Sequence, residues 1–371
     1  MKLPLLEIPP LTSPGFETGP RSISAVTMLR ISVTDRCNFR CVYCMPAEGM
    51  TWLGKTNLLT FDEIETIVRA AVDVYGITRF KLTGGEPTLR PGIVDLVARL
   101  RQIDKSLELS MTSNGMRLPD LAGPLKDAGL DRVTVSMDSL RPDRFREITR
   151  TGELATVLRG IDSLHAAGFE STKINCVTMR GVNADELADF AALTINQAVT
   201  VRFIEYMPLG DAAVMHTDSE PLRVSPDETG PAGGCGAQHR GDVLIPERLV
   251  REIIEAAHGP LETIDRATES GVGPAKVFRL SRGNPRGRVG FISAMSEPFC
   301  ATCNRLRLTA DGVLRSCLFD GGEVQIRESL RSISDSHDRS RHVAQAMSDC
   351  VRFKPLVHSA HGNEQMSRLG G

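Results

Sequence analysis

The 371-residue chain lacks an excess of either charge: 44 Lys and Arg stand against 46 Asp and Glu, for a formal charge of −2. This balance excludes general affinity for nucleic acid or for an anionic membrane, so any polyanion site must be a local basic cluster. Long apolar runs are also missing. The stretch 1–10 carries one Lys and an apolar run broken by Pro4, Glu7, Pro9 and Pro10, which is wrong for the core of an export signal; no later run approaches membrane-spanning length. Nine cysteines without an export signal favour a reducing compartment, where thiols persist as metal ligands or free groups, so a cytoplasmic location is expected. The hydrophobic share of 41% and charged share of 24% are those of an ordinary globular protein. The length predicts one large domain plus a smaller attached unit.

Three of the cysteines, Cys37, Cys41 and Cys44, form a C-x3-C-x2-C clip with no fourth Cys or His close by. By composition alone such spacing is expected on the order of once in two hundred chains. A zinc knuckle would need the missing fourth ligand. Three thiolates instead suit three irons of a four-iron cube, leaving one iron open to another molecule. An open corner can seat the amino and carboxylate groups of S-adenosylmethionine and pass an electron to its sulfonium, which makes a carbon radical. The clip resembles that of the radical S-adenosylmethionine superfamily.

Short β-rich runs recur at Leu29–Val33, Arg79–Thr83, Leu107–Thr112, Arg132–Met137, Lys173–Thr178 and Val201–Met207. Helical periodicity separates them at Phe61–Tyr75, Ile93–Ile103, Leu154–Ala167 and Asp185–Leu193, with Gly76, Gly129 and Gly168 as stops. Alternating strands and helices predict parallel βαβ units, and six of them curve into most of a barrel. The chemistry then sits at the C-terminal strand ends. The clip follows the first strand, and the Thr83–Pro87, Thr112–Gly115 and Ser136–Ser139 turns each follow a later one. The expected class is therefore α/β, a partial (β/α)6 TIM-type barrel over 28–208. Residues 1–27 are left without a role.

From 209 to 240 Gly and Pro dominate and apolar residues are few, which predicts a long flexible loop. Beyond it a helix is expected at Pro246–Ala257, strands at Lys276–Leu280, Arg288–Ile292 and Arg305–Leu308, and helices toward the end. This C-terminal α+β extension, 241–371, holds Cys300-x2-Cys303-x13-Cys317, again three thiols without a close fourth. Two incomplete sites in one chain are better explained by two open-cornered clusters than by two defective zinc sites.

Arg305 and Arg307 are two apart on a strand, so both side chains leave one face and can grip an anion together. Arg30, Lys81 and Lys173 also lie on barrel strands, where a buried cation is costly unless an anion meets it. Cys176 and Cys350 read as packed small residues, and Cys235 as a free thiol.

The combination of Ser32–Cys37, Cys44–Pro46, Arg202–Met207, Cys300–Gly312 and the terminal Gly370-Gly371 resembles the GTP 3′,8-cyclase (molybdenum cofactor biosynthesis protein A) family from about Met28 onward. The resemblance implies two 4Fe-4S clusters, S-adenosyl-L-methionine on the N-terminal one, and guanine of GTP at the open iron of the other. It implies S-adenosylmethionine contacts at Tyr43, Gly85, Ser136 and Met207, and GTP contacts at Arg30, Lys81, Thr112, Lys173, Arg305 and Arg307. Arg202 matches another basic cavity position, and Gly370 and Gly371 would reach back into the cavity. Lys81 stands where the family commonly has Arg, and Met137 where it commonly has Leu.

The implied activity is conversion of GTP to (8S)-3′,8-cyclo-7,8-dihydroguanosine 5′-triphosphate, an early step of molybdenum cofactor biosynthesis. A 5′-deoxyadenosyl radical would take the ribose 3′ hydrogen, and the new radical would close onto guanine C8. None of the eight His residues is needed for that first step, because a ribose C–H is not acidic enough for a base. A reductant protein such as flavodoxin or ferredoxin and a downstream cyclic pyranopterin monophosphate synthase complete the expectation; a homodimer is compatible with it. Two other readings stay open, a radical peptide-modifying maturase with an auxiliary cluster and a non-catalytic zinc-stapled binding module.

Overall fold

The structure is a computed structural model that describes residues 19–170, 172–209, 243–264, 273–319 and 322–358. Six parallel strands, β1 (Met28–Ser32), β2 (Arg79–Thr83), β3 (Glu108–Ser113), β4 (Arg132–Ser136), β5 (Thr172–Thr178) and β6 (Val199–Glu205), lie in sequence order. Each falls within two residues of its predicted bounds. Helices α1 (Phe61–Tyr75) and α2 (Ile93–Ile103) form where periodicity placed them. The start of α1 is fixed by a reciprocal cap in which the Glu63 amide donates to Thr60 Oγ1 at 3.2 Å and the Thr60 amide to Glu63 Oε2 at 2.7 Å. Two helices are not legible from periodicity, α3 (Leu118–Asp127) and α4 (Pro142–Thr149). The first carries Gly123 and Pro124 in its interior, residues that read locally as a break. Helices α5 (Leu154–Ala166) and α6 (Leu187–Asn196) complete the barrel units. No described helix is long and apolar enough to cross a membrane.

The C-terminal extension does not form a separate layer. Its strands β7 (Leu261–Thr263), β8 (Lys276–Leu280) and β9 (Arg288–Ile292) join one edge of the sheet, and β10 (Arg305–Leu308), β11 (Val313–Arg315) and β12 (Glu323–Gln325) join the other. Both inner members, β9 beside β6 and β10 beside β1, pair in parallel, so the extension prolongs the barrel wall at each end. The outer members then turn antiparallel and the sheet stays open. The three-residue strands β7, β11 and β12 are too short to show alternation in sequence. Helix α7 (Glu247–His258) packs on α6, while α8 (Arg327–Ser332) leads into α9 (Ser336–Arg352), which packs on α1.

Alternation along each strand decides where the core sits. Leu29, Ile31, Phe80, Leu82, Leu109, Met111, Val133, Val135, Ile174, Cys176, Val201 and Phe203 are buried in one hydrophobic core. The residues between them face the other way, into a cavity: Arg30, Lys81, Ser110, Thr112, Thr134, Ser136, Lys173, Asn175 and Arg202. A closed barrel fills its interior with branched apolar side chains; this open one lines it with polar and cationic groups. Cys176 and Cys350 are both buried within the apolar core, as small packed residues.

The seam between barrel and extension is aromatic. Phe291 on β9 stacks on Phe203 of β6, with ring centroids 5.9 Å apart, and meets Phe278 of β8 edge-on at 5.6 Å. Phe291→Ala should therefore cost about 3–5 kcal/mol, the range for truncating a buried Phe. Denaturant unfolding of the variant against wild type checks this.

Candidate active site

One cavity of about 320 Å³ is lined by both cysteine triplets and by the inward faces of the strands between them. The first triplet occupies the loop after β1, at the C-terminal end of the barrel, as expected. The second lies between β9 and β12, with Cys300 and Cys303 directly before β10 and Cys317 just after β11. None of the six cysteines is in a disulfide.

The first loop is held by backbone contacts that only glycine permits. The Gly85 amide donates to the Thr34 carbonyl at 2.8 Å and the Glu86 amide to the Arg36 carbonyl at 2.7 Å. A Cβ on Gly85 would lie 2.4 Å from the carbonyl oxygens of both Asp35 and Arg36, and one on Gly84 would lie 2.4 Å from that of Thr34. The Gly-Gly pair after β2 thus lets the cluster loop pack directly on the strand end. Glu86 secures the same corner from beneath, accepting from the Asn114 amide at 2.6 Å, the Ser113 hydroxyl at 2.8 Å and the Thr88 amide at 3.0 Å. Asn114 in turn donates to Asn38 Oδ1 at 2.7 Å, inside the clip.

Tyr43, between the second and third thiols, donates its hydroxyl to Asp138 Oδ2 at 2.7 Å, and Asp138 Oδ1 accepts the Val177 amide at 2.8 Å. Burial pushes the Asp138 carboxyl up to about 6, against the pull of those two donors. Burial also raises Cys41, and the neighbouring Asp138, Cys44 and Cys37 charges add to it. Thiols crowded in this way stay protonated until a metal displaces the proton.

Strand register sets the cations side by side. Arg307 on β10 is opposite Arg30 on β1, and Arg30 is opposite Lys81 on β2. Further round, Lys173 lines the same cavity, and Arg202 donates to Asn175 Oδ1 at 2.9 Å and Thr134 Oγ1 at 3.3 Å. Burial lowers the Arg30 guanidinium well below its usual value, and the Arg307, Arg305 and Arg202 charges lower it further. Lys81 is depressed by burial and then by Arg202, Arg30 and Lys173. Arg307 is brought down to about 10 by burial and then by Arg305. This wall is a ready acceptor for an anion of several charges.

Behind the second triplet, Lys354 is 2% exposed, and its ammonium donates to the carbonyls of Cys303 at 3.0 Å and Arg305 at 2.9 Å. Arg21 binds the Lys354 carbonyl at 3.0 Å, and Thr27 pairs with Asn304, so residues 19–27 brace this cage. His358 stacks on Phe319 at 4.1 Å and shares a 2.7 Å hydrogen bond between its Nε2 and the Ala294 carbonyl. Its backbone N–H also donates to the Cys300 thiol. The Ser316 hydroxyl, buried on the cavity wall beside Cys317, has no hydrogen-bond partner among the described residues.

The donor set fits two cluster cages. Each triplet is soft, faces the cavity and lies close enough that its thiols feel one another's charge. Among the described residues no three His, Cys, Asp or Glu side chains converge as the ligands of a single ion do. Three soft donors without a fourth suit three irons of a cube and leave one iron open.

The structure brings Tyr43, Gly85, Ser136, Met207, Arg30, Lys81, Thr112, Lys173, Arg202, Arg305 and Arg307 to this one cavity. Gly370, Gly371, Cys235 and the loop from 210 to 240 lie outside the described residues. Glu86, Asp138, Lys354 and His358 were not singled out by sequence reasoning. The first two sit in turns that were, so a buried acid after a strand was the available signal; Lys354 and His358 offered none.

The comparisons agree with this geometry. Residues 31–194 match the model of the Radical SAM superfamily, and residues 228–359 match Molybdenum Cofactor Synthesis C. The chain is thus a radical S-adenosylmethionine protein with an auxiliary-cluster extension. Relatives named GTP 3′,8-cyclase include those of Pelotomaculum thermopropionicum, 42% identical over 93% of this chain and 98% of that protein, and Moorella thermoacetica, 41% identical over 93% and 98%. GTP 3′,8-cyclase 1 of Pseudomonas aeruginosa is 43% identical over 93% of this chain and 95% of its own length. The chain belongs to the GTP 3′,8-cyclase family.

The glycine packing after β2 gives a direct test. Gly85→Ala must push the Asp35–Arg36 backbone away, so the anaerobically reconstituted variant should lose iron from the first cage while keeping that of the second. Iron and sulfide per chain, with visible absorption, measure this; full iron content in the variant would contradict the packing argument.

Proposed function

We propose that this chain binds GTP and S-adenosylmethionine in the cavity between the two thiol cages and forms (8S)-3′,8-cyclo-7,8-dihydroguanosine 5′-triphosphate, an early step of molybdenum cofactor biosynthesis. The single observation that supports it most is that both incomplete triplets and the cationic wall line one chamber. When bound, the cluster on Cys37, Cys41 and Cys44 supplies one electron to the sulfonium of S-adenosylmethionine, which yields the radical that takes the ribose 3′ hydrogen.

The protein's own part is positioning. In this reading Tyr43, Gly85, Ser136 and Met207 orient S-adenosylmethionine, with Gly85 acting through its backbone. Arg30, Lys81, Lys173, Arg305 and Arg307 hold the triphosphate, with Thr112 beside them and Arg202 supporting the same wall. Lys81 contributes a point charge where a guanidinium fork is commoner in the family, adequate for phosphate but less directional. Cys300, Cys303 and Cys317 would hold the second cluster, which would supply an open iron as an acceptor for the base. The labour divides along the chain, with 28–208 serving S-adenosylmethionine and 241–371 serving the base. A flavodoxin- or ferredoxin-type reductant supplies two electrons, one for the sulfonium and one that, with a proton, quenches the radical left by ring closure; the product goes to a cyclic pyranopterin monophosphate synthase.

An anaerobic assay with GTP, S-adenosylmethionine and a chemical reductant, with nucleotide products read by mass, tests the proposal. Cys41→Ala should abolish 5′-deoxyadenosine altogether. Cys303→Ala should abolish the cyclised nucleotide yet leave some uncoupled S-adenosylmethionine cleavage. Equal loss of both reactions in the second variant would remove the assigned division between the cages.

A further inference from the structure

The Glu205 carboxylate, at the end of β6, is 3% exposed and lies outside the cavity, because Ile204 takes the inward position. Every one of its side-chain partners among the described residues belongs to the C-terminal extension. Oε2 accepts the amides of Met295 at 2.8 Å and Ser296 at 2.9 Å, and Oε1 accepts the Glu247 amide at 3.2 Å and the Ser296 hydroxyl. The Glu247 amide opens α7, whose N-terminal flank Pro246 has no side chain to cap it, so Glu205 supplies the cap from another part of the chain. The segment it grips, 293–299, runs directly into Cys300. Two residues beyond Glu205 lies Met207, on the cavity wall.

We infer that Glu205 is the positioning residue that sets the second cage relative to the first. This rests on the function proposed above and goes beyond it, because among the described residues Glu205 neither lines the cavity nor bonds a cluster ligand. One side chain carries four hydrogen bonds from the second-cage loop and α7 to the strand that leads into Met207. A second buried tie reinforces the loop, with the Ser293 hydroxyl bound to Glu247, whose carboxylate also meets Lys276 at 3.2 Å. The register of β6 and β9 fixes the loop's near end, since Ile204 is opposite Ile292. Between Ile292 and Cys300, Glu205 holds the backbone amides of two adjacent residues. Slack there would leave each cage intact and change only the distance across which the radical must reach its hydrogen. Radical formation and its productive use would then separate.

Glu205→Gln preserves shape but keeps one acceptor oxygen and turns a donor toward amides or hydroxyl that need an acceptor. Glu205→Asp keeps the charge and shortens the reach, and serves if the Gln variant does not fold. Two readouts are needed, both on the anaerobically reconstituted full chain. Amide hydrogen exchange by mass spectrometry should rise about tenfold or more in 293–299, as local opening becomes cheaper, with β1–β4 unchanged. Cyclised nucleotide formed per 5′-deoxyadenosine should fall about tenfold, the scale of losing one strong buried hydrogen bond, with 5′-deoxyadenosine itself within about twofold of wild type. Wild-type exchange in 293–299, an unchanged product ratio, or both products falling by one factor would overturn the inference. If wild type itself makes no cyclised nucleotide, the proposed function fails while the exchange experiment still decides whether Glu205 fixes the loop.

Discussion

Three cations abreast on the cavity wall are the constraint from which the rest of this molecule can be understood. The pairing of β10 with β1 and of β1 with β2 puts Arg307, Arg30 and Lys81 on neighbouring strands in one register. Like charges opposite one another in a sheet destabilise it, and burial compounds the cost. Nothing in the folding of a barrel requires such a row; an apolar interior would be more stable. The row offers an anion of several charges a wall of donors, with Thr112, Thr134 and Ser110 as its polar neighbours.

The same row explains why the extension cannot be an independent module. Arg305 and Arg307 come from β10, and Arg30 and Lys81 from the barrel, so the cationic wall is complete only when the two are hydrogen-bonded in parallel. The second cage inherits its position from this pairing, since Cys300 and Cys303 precede β10 and Cys317 follows β11. At the opposite edge β9 continues from β6, with the Phe203–Phe291–Phe278 stack beneath it. The two edges close around the cavity without pairing with each other, leaving an open side that a closed barrel would lack.

Much of this was legible in the sequence because it is local. The C-x3-C-x2-C spacing, the six strands and the alternation that turns Arg30, Lys81 and Lys173 to one face all follow from residues a few positions apart. What was not legible depends on partners far along the chain. Asp138 is an ordinary turn acid until Tyr43, 95 residues earlier, binds it. Lys354 belongs to a terminal segment with no motif, yet it neutralises the carbonyls behind Cys303 and Arg305. Helix α3 was hidden by Pro124, whose penalty is outweighed by burial of Leu118, Ala122 and Leu125. Residues 19–27, left without a role, brace the second cage through Arg21 and Thr27.

A reaction that removes hydrogen from a carbon by a radical asks little of acids and bases and much of distance. The cavity reflects this. Its acids are occupied: Glu86 and Asp138 with backbone amides and a tyrosine hydroxyl, and Glu108 with the guanidinium groups of Arg79 and Arg132, so they hold structure instead of standing ready to exchange protons with a substrate. Its cations are carried on strands, the stiffest elements available, and its cluster loops are locked to those strands by glycine packing at one end and by a buried carboxylate at the other. A radical has no partner specificity of its own; selectivity must come from leaving it a single reachable hydrogen. Rigid placement of both cages around one chamber is how a fold with few catalytic side chains can impose that selectivity.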